Sequence, residues 1–570
     1  MTNYHKSEKD KQENTGRRSF LKTSAFLGMN TMLFGMASTS CKSKNILDPV
    51  KEDKVNKAQY RISTASGMLK VMPGDVLPES RTARISLAGN ERESFQIVVR
   101  AKEDIDGVKV TIGDFTNNQH RLNSIKWSQV GYVYISTFSG HPTTGDVKGR
   151  QPGWYPDPLL ERDSVKLMRD WSNAIWFTIH APAGTPAGTY KGKITLEIKG
   201  VKEEISVEAL VHNFALPAVP TLPNLFSLSV EYLDGMYDGF TGEIRKNWFD
   251  LLLASRMCPT DLYLNMNTKE GRSKITATDY SSFKGLTNGF VIYPITATWA
   301  DRSAPAEELI ARFEQNRPYI DQILATGAVA NGKGVFYGFD ECEPEHFEVM
   351  RKVNKYIKEQ YPQVPIATTS QYVKTVEQLD DLGLDILIMH IFDGIYNNTF
   401  ADQVRNAGKK VWAYISLQPY YPMPNWRIEN PLQETRVLLG AMAYKERFDG
   451  FLYWGLNQYN KGNRQLPAKI KRNSDLKLEM SITTPTDEYK WLHGDGLLIY
   501  PGENGPLSSI RMENIREGLE DYEYYKLVEQ KLGSGTAAIE AGKIARNTRD
   551  FERNEDNFSQ HRIALAKLIG

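Results

Sequence analysis

The sequence predicts a multidomain chain of mixed class, an N-terminal all-β sandwich followed by a (β/α)8 TIM-like barrel. Three observations predict it. From residue 60 to 215, short β-patterned runs recur with turn residues between them and no helix of useful length. From 224 to 529, strand-like runs alternate with helical ones, the rhythm of βαβ units. Between them, residues 216–223 carry three prolines in eight positions, a stiff extended join.

The 570 residues suffice for two sizeable cores. A net charge of +1 implies no nucleic-acid partner. Aromatics at 11%, with ten Trp, suit a carbohydrate surface and a large core alike. Three cysteines, Cys41, Cys258 and Cys342, exclude a disulfide framework, and a Cys258–Cys342 bridge is not expected. The nine histidines lack metal-ligand spacing, so neither metal nor other cofactor is expected.

Residues 1–41 read as an export signal. Gly16-Arg-Arg-Ser-Phe-Leu-Lys22 is similar to a twin-arginine motif, and the apolar stretch from Ala25 to Ala37 is too short to span a bilayer. Ser38-Thr-Ser-Cys41 resembles a loose lipobox, making Cys41 a candidate lipidation site; the alternative is a plain cleavable signal. Residues 42–59 are polar and read as a tether, so the membrane is a partner only through a lipid anchor, in a periplasmic or cell-surface protein.

In the sandwich region, Gly188–Ile198 and Glu204–Val211 pair naturally across a Lys-Gly turn. The loop Gln151–Pro158 is too rigid and aromatic for a spacer and is expected to touch the second domain. Eight strands are then expected, at 225–230, 261–265, 290–296, 335–339, 365–370, 385–391, 410–415 and 451–454. A polar insertion (457–491), a small hairpin (494–502), a charged helix (509–529) and a peripheral helical tail (530–570) follow.

Everything turns on Gly334-Val-Phe-Tyr-Gly-Phe-Asp-Glu-Cys-Glu-Pro-Glu345. A buried strand ends on two adjacent carboxylates, Asp340 and Glu341, and Pro344 then opens a helix. Reacting groups collect at the carboxyl ends of barrel strands. Most glycosidases use two carboxylates flanking the bond, the second often ending strand seven. Here strand seven ends Tyr414-Ile-Ser-Leu-Gln-Pro419, without an acid. Adjacent acids instead fit a substrate-assisted scheme, in which a 2-acetamido oxygen attacks the anomeric carbon. The negative Asp340 would raise the pKa of Glu341, as a general acid requires. Glu341 is therefore assigned as acid/base and Asp340 as oxazolinium stabiliser.

Three blocks, Tyr337-Gly-Phe-Asp-Glu341, Gly494-Asp-Gly-Leu-Leu-Ile-Tyr-Pro-Gly502 and Ser509–Glu523, make the chain resemble glycoside hydrolase family 123. The resemblance covers both domains. It implies β-N-acetylgalactosaminidase activity with retention, carried by Asp340 and Glu341, on β-GalNAc-terminated glycans or glycolipids.

Other candidates stand at strand ends. Tyr414 could polarise the acetamido carbonyl, with Trp412 deeper on the same face. His390 is a sugar contact or a satisfied core histidine. Trp454 could stack on the sugar and Asn457 bind a hydroxyl; Trp299, Tyr232 and Glu231 are possible walls. Arg511, Arg516, Glu517, Glu520 and Asp521 read as a structural ion-pair network, and Cys342 as structural. A hexosaminidase preferring the gluco epimer, and a non-catalytic glycan-binding lipoprotein, remain open alternatives.

Overall fold

The structure, a computed structural model, describes residues 59–135, 152–392, 395–459, 468–478 and 493–570. The expected signal, Cys41 and nearly all of the tether lie outside the described residues, as does much of the insertion after Asn457.

Two sheets face each other in the N-terminal region. One orders strands Tyr60–Ser66, Glu91–Ala101, Ser172–Ala181 and Ile125–Ile135, with Gly153–Leu160 also on the last. The other orders Thr82–Gly89, Val201–Ala215, Gly188–Ile198, Ile105–Ile112 and Val165–Leu167. Alternating side chains fill the space between them, with Ile97, Val99, Phe177, Ile194, Leu196 and Val207 fully buried. The anticipated hairpin forms, Ile198 facing Val201 across Lys199 and Gly200, both at positive φ. Among these strands, one pairing departs from the antiparallel rule of the rest: Thr82–Gly89 runs parallel to Val201–Ala215. The chain changes sheets at Asn90, so this strand meets the last strand of the region running the same way.

Eight parallel strands make up the second region: Asn224–Ser227, Pro259–Thr260, Phe290–Pro294, Gly334–Tyr337, Ile366–Thr369, Ile386–His390, Lys410–Ile415 and Phe451–Tyr453. The eighth pairs with the first, and neighbours follow in chain order except between the second and third, where no ladder joins the described residues. The sheet is therefore barrel-like. The second strand is Pro259–Thr260, before the expected 261–265, because Asp261 ends it: its carboxylate accepts the amides of Val230 at 3.2 Å and Tyr263 at 3.0 Å, turning the chain. Val291, Val335, Tyr337, Ile388, Trp412 and Tyr414 pack together as an interior layer. Cys258 and Cys342 are both free and buried.

Buried charge joins the two regions. Arg511 forks onto Asp157 at 2.8 and 2.7 Å, and both side chains are fully buried. Asp157 also accepts the Tyr500 hydroxyl at 2.5 Å, so the segment expected to be a loop, which is the strand Gly153–Leu160, does reach the second region. Arg511 further donates to the carbonyls of Trp426 and Gly494. The hairpin sits later than expected, Tyr500–Gly502 against Gly505–Leu507. The helix Ile510–Leu532 carries the anticipated network: Arg436 binds Glu517 at 2.7 Å and Asp521 at 2.6 Å, and Arg516 binds Glu513, Glu517 and Glu520. The tail is not peripheral. Its helix Glu555–Ile569 sends Arg562 inward to Glu91, Glu93 and Asp521, because those buried carboxylates need a cation.

Removing one partner of a buried pair strands the other charge. Arg511→Met should therefore destabilise the chain by about 3–5 kcal/mol in urea unfolding.

Candidate active site

Strand four ends in an unusual turn. Phe339 and Glu341 both take left-handed backbone, φ 53° and 49°, on either side of Asp340. Such φ values cost a non-glycine residue about 1–3 kcal/mol, so the surroundings must hold them. Hydroxyls do so. Thr296 Oγ1 accepts the Phe339 N–H at 2.8 Å, and Thr369 Oγ1 accepts that of Glu341 at 2.7 Å. Thr368 Oγ1 donates to the carbonyls of Gly338 and Phe339.

The turn gives the two acids different surroundings. Asp340 is half-buried, and three hydroxyls donate to its carboxylate: Tyr337 and Thr369 to Oδ1, each at 2.6 Å, and Tyr263 to Oδ2 at 3.3 Å. Glu341 is exposed, and Tyr414 donates to its Oε1 at 3.0 Å. Burial, with Asp340 adding to it, pushes the phenols of Tyr263, Tyr337 and Tyr414 well above their usual range. They remain O–H donors at any working pH. Asp340 thus accepts hydrogen bonds on both carboxylate oxygens, and Glu341 stands exposed beside it against Tyr414. Burial likewise pushes the Cys342 thiol up to about 11, which fits a structural residue.

The catalytic-domain model of glycoside hydrolase family 123 matches residues 330–528, and the N-terminal-domain model of the same family matches residues 78–198, together more than half the chain. The chain belongs to glycoside hydrolase family 123. Its fold is similar to that of a family 123 glycoside hydrolase from Clostridium perfringens, studied for glycolipid glycan hydrolysis. That likeness has a TM-score of 0.61 at 14% identity, over 90% of this chain and 97% of the other. A β-galacturonidase from Eisenbergiella tayi matches at 10% identity over 75% of this chain and 69% of its own, with a TM-score of 0.26, too low to bear on function. No curated protein matches the chain.

Around the pair, this glycoside hydrolase places the remaining candidates unevenly. His390 lies edge-on to Tyr414 at 4.6 Å and shares a hydrogen bond with Ser416 Oγ at 3.2 Å. Burial lowers its pKa to about 4, so the ring is neutral and props Tyr414. Trp412 is 2% exposed and fills the interior one layer below. Trp454 is half-buried, donates Nε1 to both oxygens of Asp495 at 3.1 Å, and lies against Gly496, where a Cβ would come within 2.4 Å of the ring. Asn457 is fully buried and spends its amide on the backbone N–H and C=O of Ser229, at 2.8 and 3.0 Å. It clamps the exits of strands eight and one together. Tyr232, half-buried, and Glu231, exposed, sit on the first turn of the helix Val230–Tyr237. Trp299 is 57% exposed, with Arg302 stacked on its ring.

Sequence reasoning passed over Tyr263, Thr369 and Arg302, and read Tyr337 only as part of a motif. Thr368-Thr369 at the end of strand five was the available signal, since paired hydroxyls there face a strand end. Nothing in the pattern marks Tyr263, which lies in a turn where a strand was expected.

Tyr414→Phe should lower kcat/KM about a hundredfold without loss of fold, since it removes the hydroxyl that donates to Glu341 Oε1. Asn457→Leu should instead appear as a stability loss of about 1–3 kcal/mol in thermal or urea unfolding, from the two Ser229 groups left unpaired.

Proposed function

We propose that this family 123 glycoside hydrolase removes β-linked N-acetylgalactosamine from glycans or glycolipids, with retention, using the sugar's own 2-acetamido group as nucleophile. The observation that carries the reading is the asymmetry of the adjacent acids: Asp340 held as an acceptor by three hydroxyls, Glu341 exposed beside it. Among the described residues, three other acids near the strand ends serve the scaffold. Asp261 holds two amides; Asp301 holds those of Ala297 and Thr298 as well as Arg312; Asp495 holds Tyr453 and Trp454.

In the proposed sequence the acetamido oxygen attacks the anomeric carbon as Glu341 delivers its proton to the departing glycosidic oxygen. Asp340 accepts the acetamido N–H and steadies the positive charge of the oxazolinium. Water then attacks the same carbon, Glu341 takes its proton, and the acetamide re-forms with the original anomeric configuration. Tyr414 orients Glu341. We take the domain as a (β/α)8 barrel open at one seam, and the whole protein as exported and lipidated at Cys41.

Rates on aryl β-GalNAc, β-GlcNAc and β-galactoside test this directly. The N-acetylgalactoside should be cleaved fastest, a thiazoline mimic of the oxazolinium should inhibit, and a galactoside should be inert. Preference for the gluco sugar would replace the epimer assignment; equal cleavage of the galactoside would end the mechanism. Asp340→Asn should slow every substrate by about 10²–10³, as loss of a charge-stabilising group does. Glu341→Gln should slow poor leaving groups by about 10²–10⁴ and good ones much less.

A further inference from the structure

Arg302 stands on the short turn Ala300–Ser303 that follows strand three. Its Nη1 donates to the backbone carbonyls of both acids, at 2.8 Å to Asp340 and 3.0 Å to Glu341. Its Nε donates to the Trp299 carbonyl at 3.2 Å, and its guanidinium lies 4.6 Å from the centroid of the Trp299 ring. The turn beneath is itself anchored. Asp301 accepts the amides of Ala297 and Thr298 and pairs at 2.7 Å with Arg312 on the next helix. The guanidinium is therefore built into place before any substrate arrives.

We propose that Arg302 is a positioning residue for the reaction. The inference rests on the catalytic reading of Asp340 and Glu341 given above. The threonine hydroxyls take the amides of Phe339 and Glu341; Arg302 takes the carbonyls of Asp340 and Glu341. Together they hold the left-handed turn from both edges. If Glu341 relaxed to ordinary backbone, its carboxylate would swing relative to that of Asp340, and a displacement of about 1 Å can cost a hundredfold in rate. The guanidinium also supplies the positive charge that offsets two neighbouring carboxylates once Glu341 has given up its proton. Because it binds backbone, it does so without capping either carboxylate.

The full chain, Arg302→Ala and Arg302→Lys are compared on an aryl β-GalNAc across pH, with thermal melting alongside. Arg302→Ala should lower kcat about a hundredfold with KM changed less than about threefold. Both limbs of its pH profile should move to higher pH, since losing a cation disfavours ionised carboxylates. Added guanidinium ion should restore part of the rate. Arg302→Lys keeps the charge but not the fork or the stack; it should show the wild-type profile with a reduced kcat. A kcat within about threefold of wild type in either variant, or an Ala variant with an unmoved pH profile and no rescue, would overturn the proposal. If Arg302→Ala does not fold, the Lys variant decides by the same kcat criterion. If wild type ignores the N-acetylgalactoside but cleaves another aryl hexoside, the substrate reading fails, and the same variants on that hexoside still test Arg302.

Discussion

The left-handed turn at Phe339–Glu341 is the constraint on which the site depends. Two like charges about 4 Å apart repel by about 4 kcal/mol at the effective dielectric of a protein surface, so adjacent carboxylates do not share one environment without a reason. Reversing φ at Phe339 and Glu341 separates their fates. One side chain turns back to the phenols of Tyr337 and Tyr263 and the hydroxyl of Thr369, and the other reaches outward to Tyr414. Strands two, four, five and seven, or the turns just beyond them, each contribute one of these groups, so the parallel sheet is what brings them together.

The sandwich supports the site without touching the acids. Asp157 leaves it to meet Arg511, and Arg511 in turn holds the carbonyls of Trp426 and Gly494. Gly494 precedes Asp495, the carboxylate that orients Trp454. A single buried fork thus fixes the loops after strands seven and eight against the other domain. Arg562 repeats the arrangement from the tail, through Glu91 and Glu93. Ion pairs this deep are costly to desolvate, and breaking one is costlier still, so the domains are locked in one arrangement.

Much of this could be read from the residues. Hydrophobic periodicity located the parallel strands, other than the second, and the Lys199-Gly200 hairpin, because alternating burial leaves its mark locally. The acid pair was legible because carboxylates at a strand end are conspicuous. What escaped depends on contacts between residues far apart in the chain. Asn457 looked like a sugar ligand because it follows strand eight; only the fold shows its amide consumed by Ser229. The parallel pairing of Thr82–Gly89 and the inward reach of Arg562 are likewise set by topology, which periodicity does not encode.

The groups around Asp340 suit the proposed mechanism. In that mechanism, a cation bound to the carboxylate would compete with the positive oxazolinium for the same oxygens. Neutral hydroxyls orient the carboxylate without placing a cation on its oxygens, which the proposed mechanism leaves for the cation formed on the substrate. The nearby guanidinium, Arg302, binds the backbone of the turn and not the carboxylate. Charge and position are thereby supplied separately: arginine and threonine set where the acids stand, and phenols and a hydroxyl set how strongly Asp340 attracts.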